Sequence, residues 1–304
     1  MNLFIRKILL YIVIIDSIIV ISYFLIALNS NRFPLLEKVT FGLTNNFGKS
    51  YQRSTDYQNW KNQKINKRGL ILGSSTAYRN INPAILDSFT NLKWFNLGST
   101  SQTLDISFEL LKYAISNNKI NAVILDIFIP LLKNNGEECS LDLIKNSILP
   151  TEVKMNIIKI TGKNFKIINQ FFYREIKKYI NSNNNVDNYL NDLYQTKGFV
   201  LNNKPSKLLL NKNIQELILD YKKFDAIIKY CNNQNIQLFI NIAPIVNSTY
   251  KQNIDYSNYI IYNQDFITNK TLENSFYDTH HLTTIGSFLY THHILNKIKW
   301  KLDK

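Results

Sequence analysis

The stretch Arg68-Gly-Leu-Ile-Leu-Gly-Ser-Ser-Thr-Ala-Tyr-Arg79 decides the fold. Gly69 to Leu72 is a short apolar run of the kind that forms a buried parallel strand. It stops at Gly73, and Ser74 and Ser75 stand before an expected helical turn. Residues just past a central strand sit where open α/β sheets keep their sites, outside the carboxyl ends of the strands. They also lie near the first free N–H groups of the next helix, which stabilise an oxyanion. Gly-Ser-Ser-Thr is equally ordinary turn-and-cap chemistry.

Strand and helix patterns alternate on the C-terminal side. Asn80 to Phe89 reads as a short helix with Pro83 near its start, where proline is tolerated. Leu92 to Gly98 is the second expected strand. Leu104 to Ser116 has helical spacing, with Ile106, Leu110, Leu111 and Ala114 on one face. Ala122 to Phe128 is the third strand, ended by Pro130. Ile214, Leu217, Ile218, Tyr221, Phe224, Ile228 and Cys231 follow helical spacing before a fourth strand, Ile236 to Pro244. A loop runs to Tyr277, and a last helix is expected from Thr284 to Trp300. Strands separated by helices mean βαβ units, so the fold class is α/β with a parallel sheet. Residues 134–212 break the alternation as a Lys- and Asn-rich helical insertion. Its helices are expected near Glu152–Ile160 and Phe165–Tyr179, with a break from Ser182 to Val186. The insertion reads either as a packing cap or as a lid or acceptor-binding surface.

The N-terminus carries a different signal. Ile8 to Leu28 is almost wholly apolar, about enough to span ~30 Å of hydrocarbon. Arg6 and Lys7 precede it, so the positive-inside rule puts that end in the cytoplasm and the rest outside. A cleaved signal peptide has a shorter apolar region, roughly 7–15 residues, and no small-x-small site follows Ala27, which favours an uncleaved anchor over residues 1–28. Asp16 lies inside the span. An aspartate near the bilayer centre costs roughly 2.5–3.5 kcal/mol on insertion scales, so it is either tolerated by the long apolar run or meets another membrane protein. Residues 29–67 read as a polar juxtamembrane stem with a short helix around Leu35 to Phe41, and residues 68–304 as the folded domain.

The formal charge is +14 over 304 residues, but Lys is scattered rather than clustered. With no zinc knuckle, helix-turn-helix or basic stripe with aromatics, nucleic acid is not an expected partner. A basic surface would favour anionic lipids or acidic glycans. Cys139 and Cys231 do not establish a disulfide, and Cys231 fits equally as a buried apolar residue.

Asp278-Thr-His-His281 places a carboxylate and an imidazole three residues apart before the last helix. All four histidines lie between His280 and His293, so a serine nucleophile must draw its base from here. A metal site is disfavoured, since His280 and His281 are sequence neighbours expected to point apart. His292 and His293 read as packing or surface residues. No cofactor is expected.

Taken together, Gly73-Ser74-Ser75-Thr76, Asn96-Leu-Gly98 and Asp278-x-x-His281 resemble the SGNH (GDSL-type) hydrolases. The likeness is strongest to their membrane-anchored bacterial branch, which includes acyltransferases of cell-envelope polymers related to DltD and the alginate acetylation proteins. It covers roughly Arg68 to Trp300 apart from the insertion. The resemblance implies a three-layer, flavodoxin-like domain. It implies Ser75 as nucleophile, His281 as base and Asp278 as its orienting carboxylate, with the N–H groups of Ser75 and Gly98 as oxyanion hole. It implies a serine acyltransferase or esterase on the outer side of a bacterial plasma membrane, acting on acyl groups of an envelope polysaccharide. A multi-pass acyl-transporting partner is implied for Asp16. The family's Gly-Asp-Ser has become Gly-Ser-Ser here, and its Gly-x-Asn block after the third strand is replaced by Leu125-Asp-Ile-Phe128. Losing one oxyanion donor can cost about 10²–10³ in rate, which leaves an inactive scaffold or a glycan-binding homologue as the alternative.

Overall fold

In the computed structural model, which describes residues 3–28, 48–162, 164–180, 193–201, 214–268 and 274–302, the four expected apolar runs are buried strands. They are β1 (Arg68–Gly73), β2 (Lys93–Asn96), β3 (Ala122–Ile127) and β5 (Gln237–Ile242). A short strand that the sequence did not announce, β7 (Ile260–Ile261), completes a five-stranded parallel sheet in the order β2-β1-β3-β5-β7. Numbered among themselves, the strands run 2-1-3-4-5, a doubly wound order whose switch point lies between the first and third. The register sets Gly73 beside Asp126 and Asp126 beside Asn241, in one row at the carboxyl ends.

Helices cover both faces because alternate strand residues point to opposite sides. On one face Leu70, Leu72, Val123, Leu125 and Ile240 pack against α2 (Gly48–Asn62), α5 (Leu104–Asn117) and α9 (Asp225–Asn233). On the other, Ile71, Ile124 and Phe239 pack against α3 (Ser75–Asn80), α4 (Pro83–Phe89) and α10 (Thr284–Leu302). Gly69 has no side chain because the Trp94 ring occupies that space; a Cβ there would lie 2.3 Å from it.

Several boundaries differ from expectation. The helix expected over Asn80 to Phe89 starts later, as α4 at Pro83, because Asn82 caps it through Ala84 N–H at 2.9 Å; Asn80 instead closes α3. The core begins earlier than Arg68. Tyr57 and Trp60 of α2 are buried against Phe95, so the C-terminal half of the expected stem belongs to the domain. The stem helix around Leu35 to Phe41 and the break at Ser182 to Val186 fall outside the described residues. The helix expected from Ile214 starts only at Asp225. Ile214 and Ile218 are exposed, and β4 (Gln215–Leu217) pairs instead with β6 (Ser248–Tyr250) as a small parallel sheet. Long-range backbone pairing overrides local spacing there.

The insertion forms α6 (Glu137–Asn146), α7 (Thr151–Ile160) and α8 (Phe165–Ile180). Cys139, Leu143, Val153 and Ile157 join the main core, and Leu141, Ile144, Ile158, Ile167 and Phe171 form a smaller one. Cys139 and Cys231 are free and buried. The first helix, α1 (Leu3–Leu28), has 26 residues and is long and apolar enough to cross a membrane. Ser17 and Ser22 donate back to the carbonyls of Val13 and Ile18, which satisfies both hydroxyls within the helix. Its Tyr23 and Ile26 meet Tyr173 and Ile176 of α8.

The position of Trp60 generates a stability test. Truncating a large buried aromatic costs about 3–5 kcal/mol. Trp60→Ala should therefore lower the unfolding free energy by about that amount in urea titration. A change below about 0.5 kcal/mol, the usual size for surface substitutions, would return α2 to the stem.

Candidate active site

The turn from β1 into α3 depends on Gly73. Its φ is +143°, and a Cβ would lie 2.4 Å from the Asp126 carbonyl oxygen. Only glycine fits both demands. The chain then reaches Ser74, the N-cap of α3, whose Oγ accepts from Thr76 N–H at 3.4 Å and lies 2.9 Å from Thr76 Oγ1. Ser74 is buried and occupied with capping. Ser75 is the first residue of α3, half-buried, with its hydroxyl turned toward the C-terminal segment.

That segment meets it. His281 Nε2 lies 2.7 Å from Ser75 Oγ, and His281 Nδ1 lies 2.7 Å from Asp278 Oδ2. Asp278 Oδ1 accepts from the N–H groups of His280 at 2.9 Å and His281 at 2.8 Å. Burial alone would raise the Asp278 carboxyl. The His281 ring hydrogen bond and the two N–H groups override that and hold it well below the usual carboxylate range. The three residues singled out in the sequence therefore form one hydrogen-bonded chain, and the serine in it is Ser75 rather than Ser74.

Asn80 fixes the distance. It is fully buried at the end of α3. Its Nδ2 donates to the His280 carbonyl at 2.9 Å, and its Oδ1 accepts from Leu282 N–H at 2.9 Å. It thus holds the backbone on both sides of His281 to the helix that bears Ser75. Sequence reasoning missed it, although a polar residue closing a six-residue helix offered a signal.

Asp126 has a different place from a donor at the site. Its carboxylate accepts from Thr76 Oγ1 and from Asn241 Nδ2, and Asn241 Oδ1 accepts from Asn263 Nδ2 at 2.9 Å. Asn241 Nδ2 also donates to the Tyr290 hydroxyl at 2.9 Å. This buried row runs beneath the Ser75 turn and steadies it through Thr76. Burial pushes the Asp126 pKa up to about 6, against the opposing hydrogen bonds from Thr76 and Asn241.

The oxyanion expectation needs correction at Gly98. Its N–H donates to Asn96 Oδ1 at 3.0 Å, because the Asn96 side chain folds back two residues in an Asx turn. Gly98 is buried, and Thr100 and Ser101 reach the cavity instead. In this arrangement the Gly98 N–H is already used.

Ser75 and His281 open on a cavity of about 400 Å³, within the range of about 300–1,000 Å³ typical of small-molecule sites. Phe128 and His280 form one wall, stacked with ring centroids 4.5 Å apart. Phe128 closes the Leu125-Asp-Ile-Phe128 block and offers an aromatic face, not a donor. Burial first, then the neighbouring His281, pulls the His280 pKa down to about 4, so its 3.5 Å approach to Asp278 is not an ion pair near neutral pH. His280 and His281 do not point apart: their ring centroids are 4.0 Å apart. Ligand atoms of Asp278, His280 and His281 come within 4.8 Å of one another. Both nitrogens of His281 are engaged by Asp278 and Ser75, so a metal there and the hydrogen-bonded chain exclude each other. His292 packs edge-on against Phe89 and Phe288, and His293 lies 3.3 Å from Asp265; both serve α10 packing.

No family model, curated protein or solved structure matches the chain.

Asp126 makes a pH test. Between about pH 4 and 6 the folded protein keeps the Asp126 proton and the unfolded chain loses it. The folded state then binds more protons, so stability falls as pH rises through that window, by roughly 3 kcal/mol for two pH units of displacement. Urea titrations of wild type and Asp126→Asn should differ by that downward slope, absent in the variant. Parallel profiles would refute the assignment.

Proposed function

We propose that this chain is a membrane-anchored serine acyl enzyme of the SGNH (GDSL-type) kind, with a flavodoxin-like three-layer domain. It transfers or removes O-acyl groups on an envelope polysaccharide, outside the plasma membrane of a bacterium. The observation that carries the proposal is the continuous chain Ser75 Oγ, His281 Nε2, His281 Nδ1, Asp278 Oδ2, with 2.7 Å at each hydrogen bond. The polysaccharide and the compartment rest on the motif resemblance and on α1.

The chemistry follows from the side chains. A serine hydroxyl is a weak nucleophile near neutral pH and needs a base within hydrogen-bond reach. His281 Nε2 takes the Ser75 proton as Oγ bonds to the ester carbon. Asp278 holds the imidazole in the required tautomer and stabilises the imidazolium. Collapse of the tetrahedral species expels an alkoxide, which receives that proton, and leaves an acyl-Ser75. Water or a sugar hydroxyl then attacks by the reverse proton path. The Ser75 N–H at the start of α3 supports the oxyanion.

An inactive scaffold is the second reading, favoured by the engaged Gly98 N–H and by Phe128 in the cavity wall. A fluorophosphonate probe separates the two. The enzyme gives a single adduct on Ser75 by mass spectrometry. Ser75→Ala and His281→Ala each lower ester cleavage or acyl transfer by about 10⁴-fold or more, and the double variant is little worse, because the groups act as a unit. Ser74→Ala keeps most activity and loses about 1 kcal/mol of stability as a lost N-cap. No adduct and no effect from any variant would leave the scaffold.

The topology has its own measurement. Arg6 and Lys7 before the apolar helix support a cytoplasmic N-terminus. A reporter that works only outside the cytoplasm, fused after Lys304, should be active; activity of a cytoplasm-only reporter there would reverse the orientation. Asp16, exposed within α1, supports a multi-pass membrane partner, and Asp16→Leu should weaken its co-purification while α1 stays inserted.

A further inference from the structure

Helix α2 carries a charge that the hydrogen-bonded chain does not use. Arg53 is 4% exposed, with its guanidinium over the Tyr78 ring at 4.7 Å from the centroid. Its Nε is buried without a hydrogen-bond partner, and no described carboxylate forms an ion pair with it. The nearby acids are occupied. Asp142 accepts from Ser50, Ser99 and Asn146, and Asp56 accepts from the Tyr194 hydroxyl at 2.8 Å. Asp142 lines the cavity on which Ser75 and His281 open; burial raises its pKa, while its hydrogen bonds and the Arg53 charge oppose that rise without forming a direct ion pair.

A buried guanidinium with no direct ion pair is costly to the folded state. Its planar fork of five donors matches a carboxylate or a phosphate. Arg53 lines the same cavity as Ser75 and His281. Arg79 lines it as well, and its guanidinium lies 5.5 Å from the centroid of the same Tyr78 ring. Two cations thus share one aromatic support beside the Ser75 hydroxyl. His280 adds no charge there near neutral pH.

We propose that Arg53 and Arg79 form an anion subsite of this cavity. The molecule that gives its acyl group to Ser75, or receives it, carries a carboxylate or phosphate held by these two residues. The Phe128–His280 stack supplies an apolar wall for the remainder. This inference rests on the serine acyl reading of the site and narrows its substrate to an anionic one.

The test uses the full chain in detergent and three acetate esters: neutral 4-nitrophenyl acetate, 4-acetoxybenzoate and 4-acetoxyphenyl phosphate. The quantity read is the ratio of kcat/KM for each anionic ester to that for the neutral one. Arg53→Met should lower that ratio at least about tenfold through KM, the factor expected from one lost charge-assisted hydrogen bond. Arg53→Lys should fall between the two. Whichever anionic ester shows the larger change identifies carboxylate or phosphate as the natural group. Should Arg53→Met not fold, Arg53→Lys and Arg79→Gln report the same ratio. Equal ratios in wild type and in every folded variant overturn the subsite. Binding is read independently of chemistry by the rise in Tm on adding benzoate or phenyl phosphate. Ser75→Ala should keep that rise, Ser75→Ala/Arg53→Lys should reduce it, and Ser75→Ala/Arg53→Met should lose most of it. A retained rise with no ester cleaved by wild type would uphold the subsite and sink the enzymatic reading. Ester cleavage with no rise and no change in ratio would do the opposite.

Discussion

Asn80 ties two distant parts of the chain into one site. Its amide satisfies the carbonyl before His281 and the N–H after it, at 2.9 Å each. The backbone bonds Tyr277 N–H to the His281 carbonyl and Thr283 N–H to the Ser275 carbonyl close the segment on itself, and Asn80 ties it to α3. Because Asn80 closes the same short helix that Ser75 opens, Ser75 and His281 are referred to one short turn. The Thr291 hydroxyl, which donates to the Ser287 carbonyl at 2.7 Å, accepts from Asn82 N–H at 3.0 Å and so joins α10 to the residues just after Asn80.

Beneath this turn the polar row Asp126, Asn241 and Asn263 crosses the carboxyl ends of the central strands. Each residue is buried, so its partners must come from inside, and among the row's side-chain atoms only Asn263 Oδ1 lacks one. Parallel register supplies the partners, since Gly73, Asp126 and Asn241 are neighbours across the sheet. The sheet therefore orders a hydrogen-bond row as well as a hydrophobic core, and that row ends at Thr76, next to Ser75.

Much of this was legible in the sequence, for identifiable reasons. Largely apolar runs between turn residues marked the four long strands, because strands covered on both faces are mostly apolar, with Asp126 and Asn241 as polar exceptions near their carboxyl ends. Ser75, Asp278 and His281 were legible from residue type and position at strand and helix ends. Helix α2 was not, because its buried side is mostly Ser50, Arg53 and Ser54, which line a polar cavity or bind polar groups. With only Tyr57 and Trp60 apolar on that buried side, apolar periodicity is too sparse to report it. β7 was too short to give a period, and the 215–217 strand draws its stability from residues more than thirty positions away. Gly98 was misjudged because its N–H is claimed by a local Asx turn, which leaves no mark in hydrophobic pattern.

The contact of Tyr23 and Ile26 with Tyr173 and Ile176 bears on how the domain meets its surroundings. A domain strung on a free leash samples every bearing relative to its tether. Here the last turns of α1 press on the insertion, whose α6 carries Asp142 into the cavity wall. With α1 in a bilayer, that contact gives the cavity mouth a set height and compass direction above the lipid. On the function proposed above, encounter with a substrate held at the same surface would become a two-dimensional search, with lateral drift in the membrane replacing tumbling in solution.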